Sequence, residues 1–593
     1  MRLALFSSVL VGLAVSGCHT APLAGSESAP DTSKIESFLP GDAPSFAAMT
    51  AWHDPSEVPG EILIDAKDDV SESDIADLAR IAGVPLHVAS SLSSAMDKFE
   101  VADVASADEE RILDALRADP RVEHAEPMAV FTESFVPNDP LYAEKQWHLK
   151  RVGAERAWEY ACGEGVTVAV VDTGIACYDK SPFMKGSDLV GTSCTAGWNF
   201  IDDRAEAWDD QGHGTHVAGT IAQTTNNGKG VAGLAYCATL MPVKVLSKQG
   251  WGTTANVAEG IRWAADHGAQ VINLSLGGPI KSQILEDAVK HAVSKGALVV
   301  AAAGNSGKSV GYPAAYPQVV AVSATDANDN IAWFSSRGPQ IAIGAPGVAV
   351  TQQTICNNGR DKCEVFGTFN GTSMASPHVA GVAALLVGQG ITDPQALRAE
   401  LQDTAHPKSE KNLFGAGILD ASAATTDVFY THLALRLGLL VALGLVISRR
   451  MSKKNGKLGW TKGATFGALL TSVGLVPFLP LVGGLSHAGS LRTYAEMLAR
   501  PLGEWDMLFG AGWHRFLILA SAAPAIGATL LFFSSKRLRP FVGGIALGSA
   551  ALLVQLAWSG ETAFAFGMTA MRVWTVVNAA VCLWVARLAL DKK

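Results

Sequence analysis

An α/β fold, a parallel sheet with helices on both faces, is predicted for residues 135–427, with a ferredoxin-like α+β unit before it and an all-α transmembrane region after it. Three observations predict this. The apolar runs VTVAVV, TLMPVKVL, AQVINLSL, ALVVAAA and QVVAVSA alternate with amphipathic stretches such as ANVAEGIRWAADHG and LEDAVKHAVSKG. Runs this short and this apolar belong to strands buried on both faces. Charge divides the chain in three: 7 Lys+Arg against 25 Asp+Glu in residues 19–139 (net −18), 21 against 26 in 140–427 (−5), and 17 against 5 in 428–593 (+12). Charged residues are only 17% of the whole, against about 25% in ordinary globular proteins, and mean hydropathy is positive, which points to membrane-embedded sequence. No segment is both basic and soluble, so nucleic acid is excluded as a partner.

Taken in order, residues 1–18 (MRLALFSSVLVGLAVSGC) have an early Arg, an apolar centre and small residues before a cysteine, the pattern of an export signal. The ending Val15-Ser16-Gly17-Cys18 resembles a bacterial lipobox, which implies lipidation at Cys18. Residues 19–57, rich in Ala, Pro, Ser and acids, predict a flexible linker. In residues 58–134, EILIDA alternates as a strand, SDIADLARI and DEERILDALRA have helical spacing, and EPMAVFT closes as a strand. The resulting βαββαβ order predicts the ferredoxin-like unit, a fold that hosts many functions.

In a parallel sheet the chemistry gathers at the carboxyl ends of the strands. VTVAVV ends in Asp172-Thr173-Gly174, and ALVVAAA ends in Gly304-Asn305-Ser306. DQGHGTHVAGT places His213 between glycines at a helix start, where backbone and substrate approach an imidazole closely. FNGTSMASPHVAG places Ser373 at a helix N-terminus, beside unpaired N–H groups able to stabilise a developing anion. Singly, each residue could be a turn or a cap. Together, Asp, His and Ser in this chain order match one of the known orders of a nucleophile–base–acid triad.

The motifs VAVVDTGI, GHGTHVAGT, NLSLGG, AAAGNSG, GYPAAYP and NGTSMASPHVAG resemble those of subtilisin-family serine peptidases, on the thermitase and proteinase K side. The resemblance implies Ser373 as nucleophile, His213 as base, Asp172 as its orienting acid and Asn305 as oxyanion donor. It implies peptide binding along Leu274, Ser275, Leu276, Gly277 and Gly278, with Ala302, Gly304 and Gly311 completing the substrate site. Gly277, Ala302 and Gly311 bear no charge, which predicts a large apolar or aromatic residue before the cut. It further implies structural Ca2+ at Asp139, Asp188 and Asn227 and no organic cofactor. The acidic stretch Asp202, Asp203, Asp209 and Asp210 is a second, weaker place for an ion. His216 and His378 are expected to be structural. Six of the eight cysteines fall in this domain, with Cys356 and Cys363 the candidate local disulfide. Six cysteines allow fifteen full pairings, and free thiols also remain open.

Beside such a peptidase, residues 58–134 resemble an inhibitory propeptide, cut away between Phe131 and Asn138. Downstream, Phe429–Ile447, Gly463–Leu485, Phe516–Phe533, Phe541–Trp558 and Val573–Leu590 have the length and apolarity of about five transmembrane helices. Basic clusters follow alternate spans, which by the positive-inside rule puts the C-terminus in the cytoplasm and the peptidase outside a bacterial inner membrane. The expected partners are therefore protein or peptide substrates, the chain's own propeptide and the membrane.

Overall fold

The computed structural model describes residues 57–592 except 68, 90–97, 106–107, 130–134, 180–181, 356–365, 454–455, 480–488, 511–513, 515 and 565. Cys18, the signal, most of the linker, the start of the expected cleavage stretch, and Cys356 with Cys363 lie outside the described residues. The chain divides into two compact units, 1–131 and 132–593.

The first unit runs β1 (Glu57–Ala66), α1 (Glu72–Ala82), β2 (His87–Val88), β3 (Phe99–Asp103), α2 (Glu109–Arg117) and β4 (Val122–Ala129). Its antiparallel sheet has the order β2-β3-β1-β4, the ferredoxin-like arrangement expected from the βαββαβ pattern. Ser71 and Asp74 form a reciprocal capping box that starts α1. Ile62, Ile64, Leu78, Leu113 and Leu116 make its core.

The second unit holds β5 (Thr167–Asp172), β6 (Trp198–Asn199), β7 (Arg204–Ala205), β8 (Thr239–Lys244), β9 (Val271–Leu274), β10 (Leu298–Ala302), β11 (Val320–Thr325), β12 (Ile341–Pro346), β13 (Val350–Gln353), β14 (Phe366–Phe369), β15 (His406–Pro407) and β16 (Gly417–Ile418). One ten-stranded sheet has the order β15-β16-β12-β11-β10-β9-β5-β8-β6-β7 and is parallel through its centre. Helices α3 (His213–Ala222), α4 (Thr254–Asp266), α5 (Gln283–Ser294) and α6 (Thr372–Gly388) cover it. Val168 and Val170 of β5 join the core built with α3 and α6, whereas Ala169 and Val171 join the core built with α4 and α5. Both faces of the strand are thus buried, which is why these runs are apolar without alternation. Because the central strands are parallel, Asp172, Leu274 and Ala302 end along one edge of the sheet.

The longer helices of the C-terminal region are α7 (Ala421–Ser452), α8 (Lys462–Ser472), α9 (Ala523–Ser534), α10 (Arg539–Ser559) and α11 (Met568–Leu590). Helix α7 starts on the sheet domain without a linker: Asp420 caps it, Ala421 N donates to Val152 O at 2.7 Å, and Ala421, Ala424 and Val428 sit in the core of that domain. Among the described residues, 3 helices are long and apolar enough to cross a membrane, Ala421–Ser452, Lys536–Ser559 and Met568–Leu590. Two of the five expected spans differ. The one from Gly463 stops as a helix at Ser472, where Gly474 turns with φ 92° and Pro477 follows. The one from Phe516 is a π-helical turn, Ile518–Ala522, running into the 12-residue α9. His432 and Arg436, unusual in a span, point into protein: His432 Nε2 lies 2.9 Å from Glu561 Oε2, and Arg436 pairs with Glu504 and donates to Gln555. Helices α8 and α10 pack through glycine, since a Cβ on Gly544 or Gly548 would collide with the Ala464 or Ala468 carbonyl.

Candidate active site

Asp172 is fully buried at the end of β5. Its Oδ1 accepts the Thr173 N–H at 2.7 Å and lies 2.8 Å from His213 Nδ1. His213 opens α3 after Gly212, whose φ of 105° suits glycine. The turn is held by a residue whose part the sequence reading missed. Asp209 Oδ1 accepts from Gln211 N, Gly212 N and Thr173 Oγ1, each at 2.9 Å, and its Oδ2 accepts from Thr215 N and Oγ1 at 2.9 and 2.6 Å. One buried carboxylate therefore ties the end of β5 to the start of α3, fixing the separation of Asp172 and His213. Beside it, buried Lys244 donates to Thr173 O, Asp210 Oδ1 and Leu246 O at 2.6, 2.7 and 2.9 Å. Asp202 bonds Asn199 and Arg204. Three of the four carboxylates considered for a second ion, Asp202, Asp209 and Asp210, are thus already engaged by protein donors.

Burial works to lower the His213 pKa, but the charge and hydrogen bond of Asp172, with Asp209 behind, outweigh it and hold the pKa above its ordinary value. The imidazolium that forms when this base takes a proton is stabilised by its own setting.

Ser373 is the second residue of α6. Pro377 lies inside that helix and has no N–H to give the Ser373 carbonyl four residues back. Ser275 Oγ supplies the missing donor at 2.7 Å, so the bend at the nucleophile is stitched to the residue after β9. Asn273 Nδ2 in turn donates to Ser275 Oγ at 3.0 Å, and Ser376 Oγ donates to Asn273 Oδ1 at 2.7 Å. The Ser373 hydroxyl donates to Ser275 O at 3.1 Å rather than to His213. Asn305 Oδ1 accepts from Thr372 N and Thr372 Oγ1, both at 2.9 Å, which turns its Nδ2 the other way. A Cβ placed on Gly371 would be 3.3 Å from Asn305 Nδ2 and 3.6 Å from Ser373 N, so both donors face the same small space.

His213 and Ser373 line one cleft together with Ser275, Leu276, Gly277 and Gly278. Its walls include Leu246, Trp251, Leu276 and Tyr312 beside the polar Thr173, Gln211, Thr253 and Thr254, and among the described residues no Asp, Glu, Lys or Arg. Leu274, Ala302, Gly304 and Gly311 do not line it. Leu274 is buried within the sheet. Gly304 N donates to Thr372 Oγ1 at 3.1 Å, a supporting position behind the nucleophile turn. Gly311 faces the Gly278 carbonyl at 3.1 Å, and Gly277 faces the Tyr312 and Ala302 carbonyls at 3.3 and 3.9 Å, measured from an added Cβ. Gly278 is moreover paired with Tyr312 in both directions at 2.8 Å. The edge open to a peptide is therefore shorter than the expected Leu274–Gly278.

His216 Nε2 reaches the Val350 and Gly367 carbonyls at 3.1 and 3.0 Å, and His378 bonds Met374 O and His148 at 2.9 and 2.7 Å. Burial pushes them down to about 3 and about 4. Both are structural in geometry. Asp139 and Asp188, 3% and 1% exposed, meet at one loop. Asp139 Oδ2 accepts from Asn226 N at 2.6 Å, and Asp188 accepts from Asn227 Nδ2 and Val231 N at 2.7 and 3.0 Å. Burial raises both carboxyls, Asp188 to about 6, with the charge of Asp139 adding to the rise. Two like charges buried together fit a divalent cation. Among the described residues no three His, Cys, Asp or Glu side chains gather as a metal cluster, so the other oxygens would come from Asn227 and the backbone. The disulfide present is Cys177–Cys194; Cys162, Cys237 and Cys582 are free among the described residues.

Residues 163–417 match the family described as the Subtilase family, Peptidase_S8. The chain is 42% identical to thermitase of Thermoactinomyces vulgaris over 274 residues, 46% of this chain and 92% of that one. It is 44% identical to subtilisin Savinase of Lederbergia lenta over 282 residues, 47% of this chain and 98% of that one. It is 37% identical to a thermophilic serine proteinase of a Bacillus species over 350 residues, covering 59% and 82%. With more than 40% identity over nearly the whole length of two such relatives, the chain belongs to the subtilase family of serine endopeptidases.

Proposed function

We propose that this chain is a membrane-anchored, exported endopeptidase made as a zymogen, with Asp172, His213 and Ser373 as its triad. The observation that carries this is the 2.8 Å Asp172–His213 contact sharing a cleft with Ser373 and the Asn305 amide. A modest rotation takes the Ser373 hydroxyl from Ser275 O to His213, a tightening common on substrate binding. Ser373 Oγ then attacks the scissile carbonyl as His213 Nε2 takes its proton. Asp172 holds the imidazole N–H and stabilises its cation. Asn305 Nδ2 and Ser373 N donate to the oxyanion. His213 returns the proton to the leaving amine, and water, activated by the same imidazole, releases the acyl group.

The cleft walls carry no formal charge apart from His213 and include Leu246, Trp251, Leu276 and Tyr312, which supports a large apolar or aromatic residue before the cut. Peptides differing only there test it: Phe or Leu should exceed Arg or Glu at least tenfold in kcat/KM, and a preference for the charged peptides would overturn the assignment. Asp139, Asp188 and Asn227 are the proposed calcium ligands, where the ion would neutralise two buried carboxylates and brace the loop. The first unit is the proposed inhibitory propeptide.

Anchoring rests on α7, α10 and α11. Arg449, Arg450 and Lys453 end α7, and the turn that follows pairs Lys457–Leu458 with Asp591–Lys592 beyond α11. Lys536, Arg537 and Arg539 begin α10. These basic groups gather at the end remote from the peptidase, which supports a cytoplasmic C-terminus and an extracytoplasmic peptidase on a bacterial inner membrane. Lipid on Cys18 would be a second anchor, lost with the propeptide.

A further inference from the structure

We infer that the catalytic cleft opens away from the bilayer at a fixed height, so that the substrates are chain segments standing roughly 20 Å or more off the membrane: exported soluble polypeptides and long ectodomain stalks. This deepens the membrane-anchored reading and rests on it.

The argument is one of edges. Asp172, Ser275, Asn305 and Ser373 lie at the carboxyl edge of the parallel strands or at the amino end of α6, which runs against them. Among the described residues, the contacts with the C-terminal helical region fall on the opposite edge or at the far end of α6. Thr493 Oγ1 donates to Glu164 Oε1 at 3.1 Å, and a Cβ on Gly165 would collide with Met507 O, both immediately before β5. Gly296, two residues before β10, faces Ala563 at 3.4 Å from an added Cβ. At the far end of α6, Arg500 donates to Gly388 O, and Gln389 Nε2 donates to Thr425 O at 2.9 Å. Just beyond, Thr392 N and Asp393 N donate to Glu561 O at 2.8 Å. Helix α6 connects the two edges, and at roughly 1.5 Å per residue Ser373 stands about 20 Å from Gly388.

Nothing in these contacts permits the domain to tilt freely. Helix α7 enters the apolar region directly from the peptidase core, and the carboxylate–arginine pair Glu504–Arg436 is buried at the junction. A flexible stalk would let a peptidase bend down to the membrane surface; a continuous helix bonded at several points does not.

The full chain in phospholipid vesicles tests this. The same cleavable apolar peptide is tethered to the bilayer by a lipid through a spacer of about 3 or about 30 residues, the long one able to reach well past 20 Å. The long spacer should be cut at least tenfold faster, and the untethered peptide should be cut by the same enzyme. Equal cleavage of both tethered forms overturns the inference alone. No cleavage of the untethered peptide overturns the peptidase reading, and a distance measurement then decides the inference: a donor fluorophore on Lys308→Cys, three residues past Asn305, should lie beyond about 20 Å from acceptor lipids. A donor at the bilayer surface overturns it. A chain that does not float with vesicles overturns the membrane reading and this inference together.

Discussion

The decisive residue-scale feature is an imidazole held between two buried carboxylates of different duty. Asp172 bonds it, while Asp209 fixes the turn on which it stands. Asp172→Asn should lower kcat by about 10⁴, as in comparable triads. Because the carboxylate is what raises the His213 pKa, the acid limb of the kcat/KM profile should also move to lower pH. An unmoved limb would assign the pKa to another group. Asn305→Ala should lower kcat by about 10² to 10³ with KM little changed, the loss known for the oxyanion asparagine of a subtilisin. The triad was legible because each member sits in a local motif with glycines, two of which, Gly174 and Gly214, stand where a Cβ would collide with a backbone carbonyl. Asp209 and Lys244 were not, since DDQGHG reads as a solvated acidic stretch, and only tertiary contact brings Thr173, Thr215 and Lys244 to it. The Cys177–Cys194 bond was likewise one of fifteen pairings that spacing left open.

At the scale of elements, the nucleophile depends on a proline that leaves one helical carbonyl without its N–H donor and a serine that replaces it. Ser275→Ala removes the donor to Ser373 O and should cost about 1–3 kcal/mol in denaturant unfolding, with a lower kcat. A neutral effect would mean the carbonyl finds another partner. The calcium loop carries a pH-dependent prediction. Asp188 has a folded pKa of about 6, above its unfolded value of 3.8, so without calcium its contribution to stability is full below the unfolded value and is lost as pH rises through about 6. Calcium should raise the Tm most above pH 6, and Asp188→Asn should abolish that gain; a calcium effect unchanged in Asp188→Asn would place the ion elsewhere. Periodicity made the strands and the βαββαβ unit readable. The expected span Phe429–Ile447 lies inside α7, whose first turns, ASAATTD, are too polar for a span and instead bring Ala421 and Ala424 into the peptidase core. The stretch after Gly463 was read by apolarity alone, and Gly474 with Pro477 end its helix early.

Over the whole molecule, a sheet with chemistry on one edge and long apolar helices on the other makes a single compact unit of residues 132–593. The overall plan was visible in composition and charge, whereas the facing of the cleft was not, because it depends on which loops Met507, Glu561 and Ala563 touch. The close α8–α10 contact also has a sequence signature that hydropathy hides, the paired glycines Gly463/Gly467 and Gly544/Gly548. The central claim is that Ser373 performs peptide hydrolysis in this membrane-bound chain. The most direct measurement compares wild type with Ser373→Ala, both purified full length in vesicles, for release of the propeptide and hydrolysis of a Phe-containing peptide. The account predicts that wild type matures and hydrolyses the peptide, while Ser373→Ala remains unprocessed with hydrolysis reduced by at least about 10³; equal processing and equal hydrolysis in the two proteins would contradict it.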